Sequence, residues 1–253
     1  MNKRSLHDIF FPPTCLSCRK RMRPSFGSQI TPRLCADCAH DFERSKLSQC
    51  GTCFAAVCDC TCQPYAMKRA GSCGLVKVAP LGEAPELQCV RNLIYRVKRV
   101  GGRECFDFCS DELLPLVQRE LRSQNEKEPI SHTVVAHLPR SRRNVSFYGF
   151  DQAARLARAL AKKLELPHLK ALYRVREGNE QKGLNTGGRR ANIKGAFAVK
   201  RNVKDAFVIL VDDVVTTGAG MAEATRVLKK AGAARVLCVS VAYTKKIKVK
   251  GSR

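Results

Sequence analysis

Two groups of residues in this sequence have types and spacings that could do chemistry. Nine cysteines crowd between Cys15 and Cys62, and a run of acids, hydroxyls and glycines, Asp212-Asp213-Val-Val-Thr216-Thr217-Gly218-Ala219-Gly220, follows an apolar stretch nearer the other end. Cys15-x2-Cys18 and Cys35-x2-Cys38 have the spacing of a four-thiolate zinc site, in which each x2 turn offers two sulfurs to one tetrahedral ion. Cys50-x2-Cys53 opens a second site. Its closing pair must be drawn from Cys58, Cys60 and Cys62, whose spacings do not make a second CxxC; Cys60 and Cys62 are assigned, and the choice stays open. A catalytic zinc keeps one position for water and has three protein ligands, so this many thiols favours one or two closed, structural zinc sites.

In the second group, the strand-like run Ala206 to Val211 delivers Asp212 and Asp213 at its carboxyl end, where α/β sheets bind their ligands. Amides freed by the glycines at the start of a helix, with the positive end of its dipole, suit a phosphate. Two carboxylates repel that anion, so they must face ribose hydroxyls or a magnesium ion. One ligand that combines phosphate, ribose diol and magnesium is a phosphorylated sugar such as phosphoribosyl pyrophosphate.

The elements that must position these groups alternate. Gly74 to Pro80 and Thr133 to Leu138 read as strands, and Pro85 to Lys98, Asp111 to Leu121 and Gly149 to Leu164 as helices. A helix from about Ala219 to Lys230 stops at Gly232 before a strand from Arg235 to Ala242. QPYAMKRAGS after Cys62 reads as a linker and Arg122 to Ser131 as a loop. The pattern predicts an α/β protein with a parallel sheet and helices on both faces. A cysteine-rich domain over residues 1–66 precedes this sheet domain, which runs over residues 67–253 with a basic tail.

Several segments taken together resemble the ComF family, which joins an N-terminal zinc ribbon to a type I phosphoribosyltransferase-like fold. They are the cysteine pairs, the VDDVVTTG loop, Pro139-Arg140 with Arg142-Arg143, Gly149-Phe150-Asp151-Gln152-Ala153, and Gln181-x2-Leu184 followed by Arg189-Arg190-x-Asn192-x-Lys194-Gly195-Ala196-Phe197. The resemblance implies that Asp212 and Asp213 hold the ribose diol, that Thr216, Thr217, Gly218, Ala219 and Gly220 hold the 5-phosphate, and that Arg140 lies against the pyrophosphate. It also implies that Arg189 and Arg190 close over the ligand. There are two departures: the closing threonine of the loop is Gly220 here, and the family's GFNQ is GFDQ, with Asp151.

The chain has 253 residues with 46 Lys and Arg against 22 Asp and Glu, a formal charge of +24. Sixteen of those cations and only four acids lie between Arg140 and Arg201. A pyrophosphate uses two or three, so the excess points to a polyanion, whose affinity comes from counterion release. Single-stranded DNA is the polyanion that the resemblance implies. Arg142, Arg143, Arg189 and Arg190 are the expected contacts, and Phe147 and Tyr148 are possible base platforms, whereas Phe150 reads as core. The tail Lys245-Lys246-x-Lys248-x-Lys250 adds a basic strip. No apolar run reaches the ~20 residues of a membrane span, and the start lacks the ~7–15-residue apolar core of an export signal. The expected place is the cytoplasm, whose reducing conditions favour metal ligation over disulfides. Three functions fit: a DNA-uptake or processing protein that binds phosphoribosyl pyrophosphate and works with uptake or recombination proteins, an active phosphoribosyltransferase with an unspecified acceptor, and a sugar-phosphate-sensing regulator. No catalytic residue is assigned.

Overall fold

The computed structural model describes residues 12–22, 33–127, 132–176 and 193–244. Four parallel strands, β1 (Ser72–Leu81), β2 (Thr133–His137), β5 (Phe207–Val215) and β6 (Arg235–Thr244), make one sheet in the order β1-β6-β5-β2. Their sequences are almost unbroken apolar runs because both faces are covered. Along β5, Ile209 and Val211 face one core and Val208 and Leu210 the other, all fully buried.

On the first face lie α3 (Gln88–Arg99), α4 (Arg103–Lys127) and α6 (Gln152–Leu164), which bring Leu93, Leu113, Leu156 and Leu160 into the core. On the second lies α7 (Ala219–Lys230), through Met221, Ala224 and Leu228. Truncating any of these leucines to alanine costs about 2–5 kcal/mol. The two-faced parallel sheet agrees with the expected fold class.

Four expectations are corrected. The segment after Cys62 is not a linker: it contains a short helix, α2 (Tyr65–Arg69), whose Met67 is fully buried in the second core. Of the expected loop, residues 122–127 are the end of α4, since Gln and Glu are good helix formers, and 128–131 lie outside the described residues; Gln124 donates to Glu120 at 2.7 Å and its carbonyl accepts from Arg235 at 2.8 Å. That helix also begins eight residues earlier than Asp111 and carries Pro115 in its interior. Finally, the single helix from Gly149 to Leu164 is two, α5 (Arg142–Tyr148) and α6. Gly149, in the left-handed conformation at φ 77°, ends the first, and Asp151 caps the second.

Two strands of three residues each escaped the sequence pattern. β3 (Leu172–Arg174) and β4 (Phe197–Val199) pair antiparallel as a separate two-stranded sheet. Three residues are too few for alternation to register against noise.

The cysteine-rich part contributes one helix, α1 (Ala36–Lys46), and two knuckles closed by the isolated bridges Thr14 to Arg21 and Gln49 to Ala56. It rests on α4. Phe42 packs on Phe108 with ring centroids 5.3 Å apart, Arg33 pairs with Asp111 at 3.0 Å, Lys46 with Glu112 at 2.8 Å, and Arg119 with Asp59 at 2.6 Å.

Candidate functional site

Residues 212–220, expected to hold a phosphate, sit where β5 ends and α7 begins. Asp212 and Asp213 are consecutive in a strand, so their side chains leave opposite faces of the sheet. Asp213 is 1% exposed, on the face that carries α3; its Oδ1 accepts from Arg140 Nη2 at 2.5 Å, and Lys98 Nζ stands 4.0 Å from Oδ2. Asp212 is 14% exposed, and its Oδ1 lies 3.7 Å from the same guanidinium. Burial, then the neighbouring Asp213, hold the Asp212 carboxyl well above the usual carboxylate range, against the opposing pull of Arg140.

Beyond the acids the chain turns. Thr216 is exposed, Thr217 half-buried, and Gly218 adopts the left-handed conformation at φ 74° as the N-cap of α7. A side chain at Gly218 is excluded twice over: the backbone conformation favours glycine, and a Cβ there would stand 2.8 Å from Met67 Sδ and 2.9 Å from Pro64 Cγ. The helix that replaces the expected linker therefore backs the loop. Gly220 has its own reason, since a Cβ at that position would meet Leu138 at 3.2 Å. A threonine would crowd the residue that follows β2.

Arg140 is held in place from behind. Its backbone N–H donates to Asp151 Oδ2 at 3.3 Å, while Asp151 Oδ1 accepts from Ala154 N at 3.0 Å. Asp151 thus caps α6, a position at which Asp and Asn serve equally, and ties the Arg140 loop to that cap. His137, at the end of β2, stacks on His168 with Nδ1 3.1 Å from Nε2, and burial pushes both imidazoles down, that of His168 to about 4. The neutral pair anchors the start of the same loop. Sequence reasoning missed this pair and also Glu223, whose Oε1 accepts from Gly195 N at 2.7 Å.

Arg142 and Arg143 open α5, beside the exposed ring of Phe147. Phe147 contacts Tyr148 edge-on at 4.9 Å, and the Arg99 guanidinium lies over both rings at 5.3 and 5.2 Å. Phe150 packs instead against Phe106 at 6.2 Å, with Arg155 over it. Arg189, Arg190 and the tail 245–253 lie outside the described residues.

The cysteines fall into two sets of four: Cys15, Cys18, Cys35 and Cys38, and Cys50, Cys53, Cys60 and Cys62, with the four sulfurs of each set within 4.8 Å of one another. A tetrahedral zinc with bonds of about 2.3 Å places its sulfurs about 3.8 Å apart, and Cys18 Sγ lies 3.7 Å from Cys35 Sγ. Both donor sets fit zinc. Cys58 is apart from them, buried in the first core. Burial raises the thiol of Cys15, but amides of Cys35, Cys18 and Ser17 outweigh it and bring it to about 7; in the same way amides of Cys53 and Thr52 bring Cys50 to about 6. Burial and their cysteine neighbours push the thiols of Cys38, Cys60 and Cys62 up, and Cys18 is raised as well, so the knuckle amides favour one thiolate in each set. Lys77, a β1 residue 1% exposed, locks the second set to the sheet: its Nζ donates to Cys60 O at 2.9 Å, Cys60 Sγ at 3.1 Å and Cys62 O at 3.0 Å.

The parallel strand β5 ends in two acids and runs into the glycine-capped helix α7, and residues 151–251, which include this turn, match the phosphoribosyl transferase domain model. Over that span the chain is similar to phosphoribosyl transferase domains. Over 88 residues it is 38% identical to Competence protein F of Haemophilus influenzae, covering 33% of this chain and 38% of that protein. Over 89 residues it is 37% identical to DNA utilization protein YhgH of Escherichia coli O157:H7, covering 35% and 39%. The resemblance to the ComF family holds over this region, and the match spans well under half the length of these curated relatives. Similar solved structures include a phosphoribosylpyrophosphate synthetase from Mycobacterium smegmatis, with a TM-score of 0.34 and 16% identity over 67% of this chain and 63% of that one. Another is a purine phosphoribosyltransferase from Pyrococcus horikoshii, with a TM-score of 0.25 and 18% identity over 54% and 93%. Among the described residues no helix is long and apolar enough to cross a membrane.

Proposed function

We propose that residues 212–220 bind phosphoribosyl pyrophosphate or a related nucleotide with magnesium, and that the basic surface beside them binds single-stranded DNA in the service of DNA uptake or processing in the cytoplasm. The observation that carries this reading is the convergence of Asp212, Arg140 and the Gly218-capped start of α7 at the carboxyl end of β5. In it, Asp212 meets the ribose hydroxyls and magnesium. Thr216, Thr217 and the amides of Gly218, Ala219 and Gly220 take the 5-phosphate. Arg140 lies against the pyrophosphate, and Arg189 and Arg190 close over it. Asp213, spent on Arg140, positions that guanidinium rather than touching the ribose.

The DNA arm rests on charge: sixteen cations against four acids between residues 140 and 201 exceed what one pyrophosphate needs. Arg142 and Arg143, next to exposed Phe147, are its leading contacts, and the names of the two curated relatives agree with it. Two structural zinc ions staple residues 1–66 internally, and Lys77 ties the second of these sites to the sheet domain of residues 67–253. The match to a phosphoribosyl transferase domain favours a second reading, an active transferase with an unspecified acceptor. In that reading the chain's own part is to hold the ligand and to offset the charge of departing pyrophosphate.

Titration of wild type and Thr217→Val with phosphoribosyl pyrophosphate and with single-stranded DNA at two salt concentrations tests both arms. The expected result is loss of sugar-phosphate binding in the variant and a DNA affinity that falls steeply with salt. A wild type that binds neither overturns the reading.

A further inference from the structure

The sheet order β1-β6-β5-β2 puts the two sides of the phosphate loop to different uses. Arg140 follows β2, so the reading above puts the ribose and pyrophosphate on that side of β5. On the other side, toward β6 and β1, is a cavity of about 570 Å³. It is a usual size for a small-molecule site. Its walls include Thr216 and Thr217 of the phosphate loop but not Asp212, Asp213 or Arg140.

The lining opposite the loop comes from the second cysteine knuckle and the segment after it: Thr52, Gln63 and Tyr65, with Tyr243 from β6. Tyr65 is 72% exposed, and Gln63 Oε1 is buried with no hydrogen-bond partner among the described residues. Among the described residues Lys77 is the one Lys, Arg, Asp or Glu in the lining, and its Nζ is already engaged by Cys60 and Cys62. The described lining therefore offers a second phosphate no available cation. Hydroxyls, an amide and two aromatic rings are instead the equipment that receives a nucleoside, through base stacking and base-edge hydrogen bonds.

We propose that this cavity accepts the nucleoside on the 5′ side of a phosphodiester, so that the phosphate loop engages an internucleotide phosphate of a polynucleotide as well as the terminal phosphate of a free sugar phosphate. The nucleoside 3′ to that phosphate takes the ribose position near Asp212, and its 5′ neighbour fills the space between Thr216 and Tyr65. This rests on the phosphate-loop reading above and extends it from a metabolite to a strand of nucleic acid.

The test compares adenosine 5′-monophosphate with the dinucleoside monophosphate ApA on the full-length, zinc-loaded protein. ApA carries less negative charge, so a site that reads charge alone binds it more weakly. The expected result is tighter binding of ApA by about tenfold, the equivalent of one stacked base. Two variants remove the advantage while leaving the mononucleotide unchanged. One is Gly51→Phe, which fills the cavity from a position where an added Cβ meets nothing within 4 Å. The other is Tyr65→Ala, which lies outside the cysteine pairs and keeps the test valid if the first variant loses zinc. Equal or weaker binding of ApA by wild type overturns the proposal, as does an ApA advantage that survives Tyr65→Ala. If neither ligand binds wild type, the phosphate-loop reading fails and takes the proposal with it; if the mononucleotide alone binds, only the cavity's role fails.

Discussion

Arg140 Nη2 donates to Asp213 Oδ1 at 2.5 Å, and the carboxylate that receives it is 1% exposed. Asp213 is out of water and Arg140 is only 20% exposed, so removing one leaves the other poorly compensated. Asp213→Ala is expected to lower stability by about 3–5 kcal/mol, and the double variant Asp213→Leu, Arg140→Met by clearly less than the sum of the two single changes. Urea unfolding of the four proteins measures the coupling.

Asp212 has the opposite energetic character. Burial and Asp213 hold its carboxyl above the usual range, so the folded state keeps a proton that the unfolded chain has already lost. Stability contributed by that proton is present at low pH and is lost as pH rises from the unfolded value, about 4, through the folded one. Asp212→Asn should therefore raise neutral-pH stability, in the range of about 0.5–2 kcal/mol common for substitutions that relieve a functional site. It should also flatten the fall of Tm between acid and neutral pH. A thermal melt series against pH checks both, and a variant less stable than wild type at pH 7 contradicts them.

Asp151 caps α6 and holds the Arg140 amide. Asp151→Ala is expected to cost about 1 kcal/mol or somewhat more, and Asp151→Asn only a few tenths, because an amide oxygen caps as well as a carboxylate. Denaturant midpoints distinguish the two.

The cysteine clusters predict metal content. Wild type should carry two zinc ions, Cys60→Ser one, and Cys58→Ser still two, since Cys58 lies outside both sets. Elemental analysis of purified protein reads the ratio directly. Chelation should also unfold the knuckles cooperatively, as metal binding and folding are one equilibrium in such small units.

Much of this was legible in the sequence because it depends on short-range pattern. The runs Ala206 to Val211 and Arg235 to Ala242 are too apolar for anything but buried strands, and Ala219–Lys230 is bounded by glycines on both sides. What was not legible depends on contacts between distant segments. Met67 sits in a stretch of small and basic residues, and only the approach of Gly218 makes it core. The departure from GFNQ at Asp151 is accounted for by the two amides its carboxylate accepts from, one of them on the distant Arg140. Which acid Arg140 hydrogen-bonds, Asp213 at 2.5 Å with Asp212 at 3.7 Å, is a one-residue matter that a DD dipeptide leaves open.

The measurement that bears most directly on the central claim is calorimetric titration of phosphoribosyl pyrophosphate, with magnesium, into wild type and Asp212→Ala. Saturable binding to wild type that is lost or weakened at least about tenfold in the variant, by more than about 1.4 kcal/mol, is the predicted result. Equal binding to the two proteins, or none to wild type, would contradict the account.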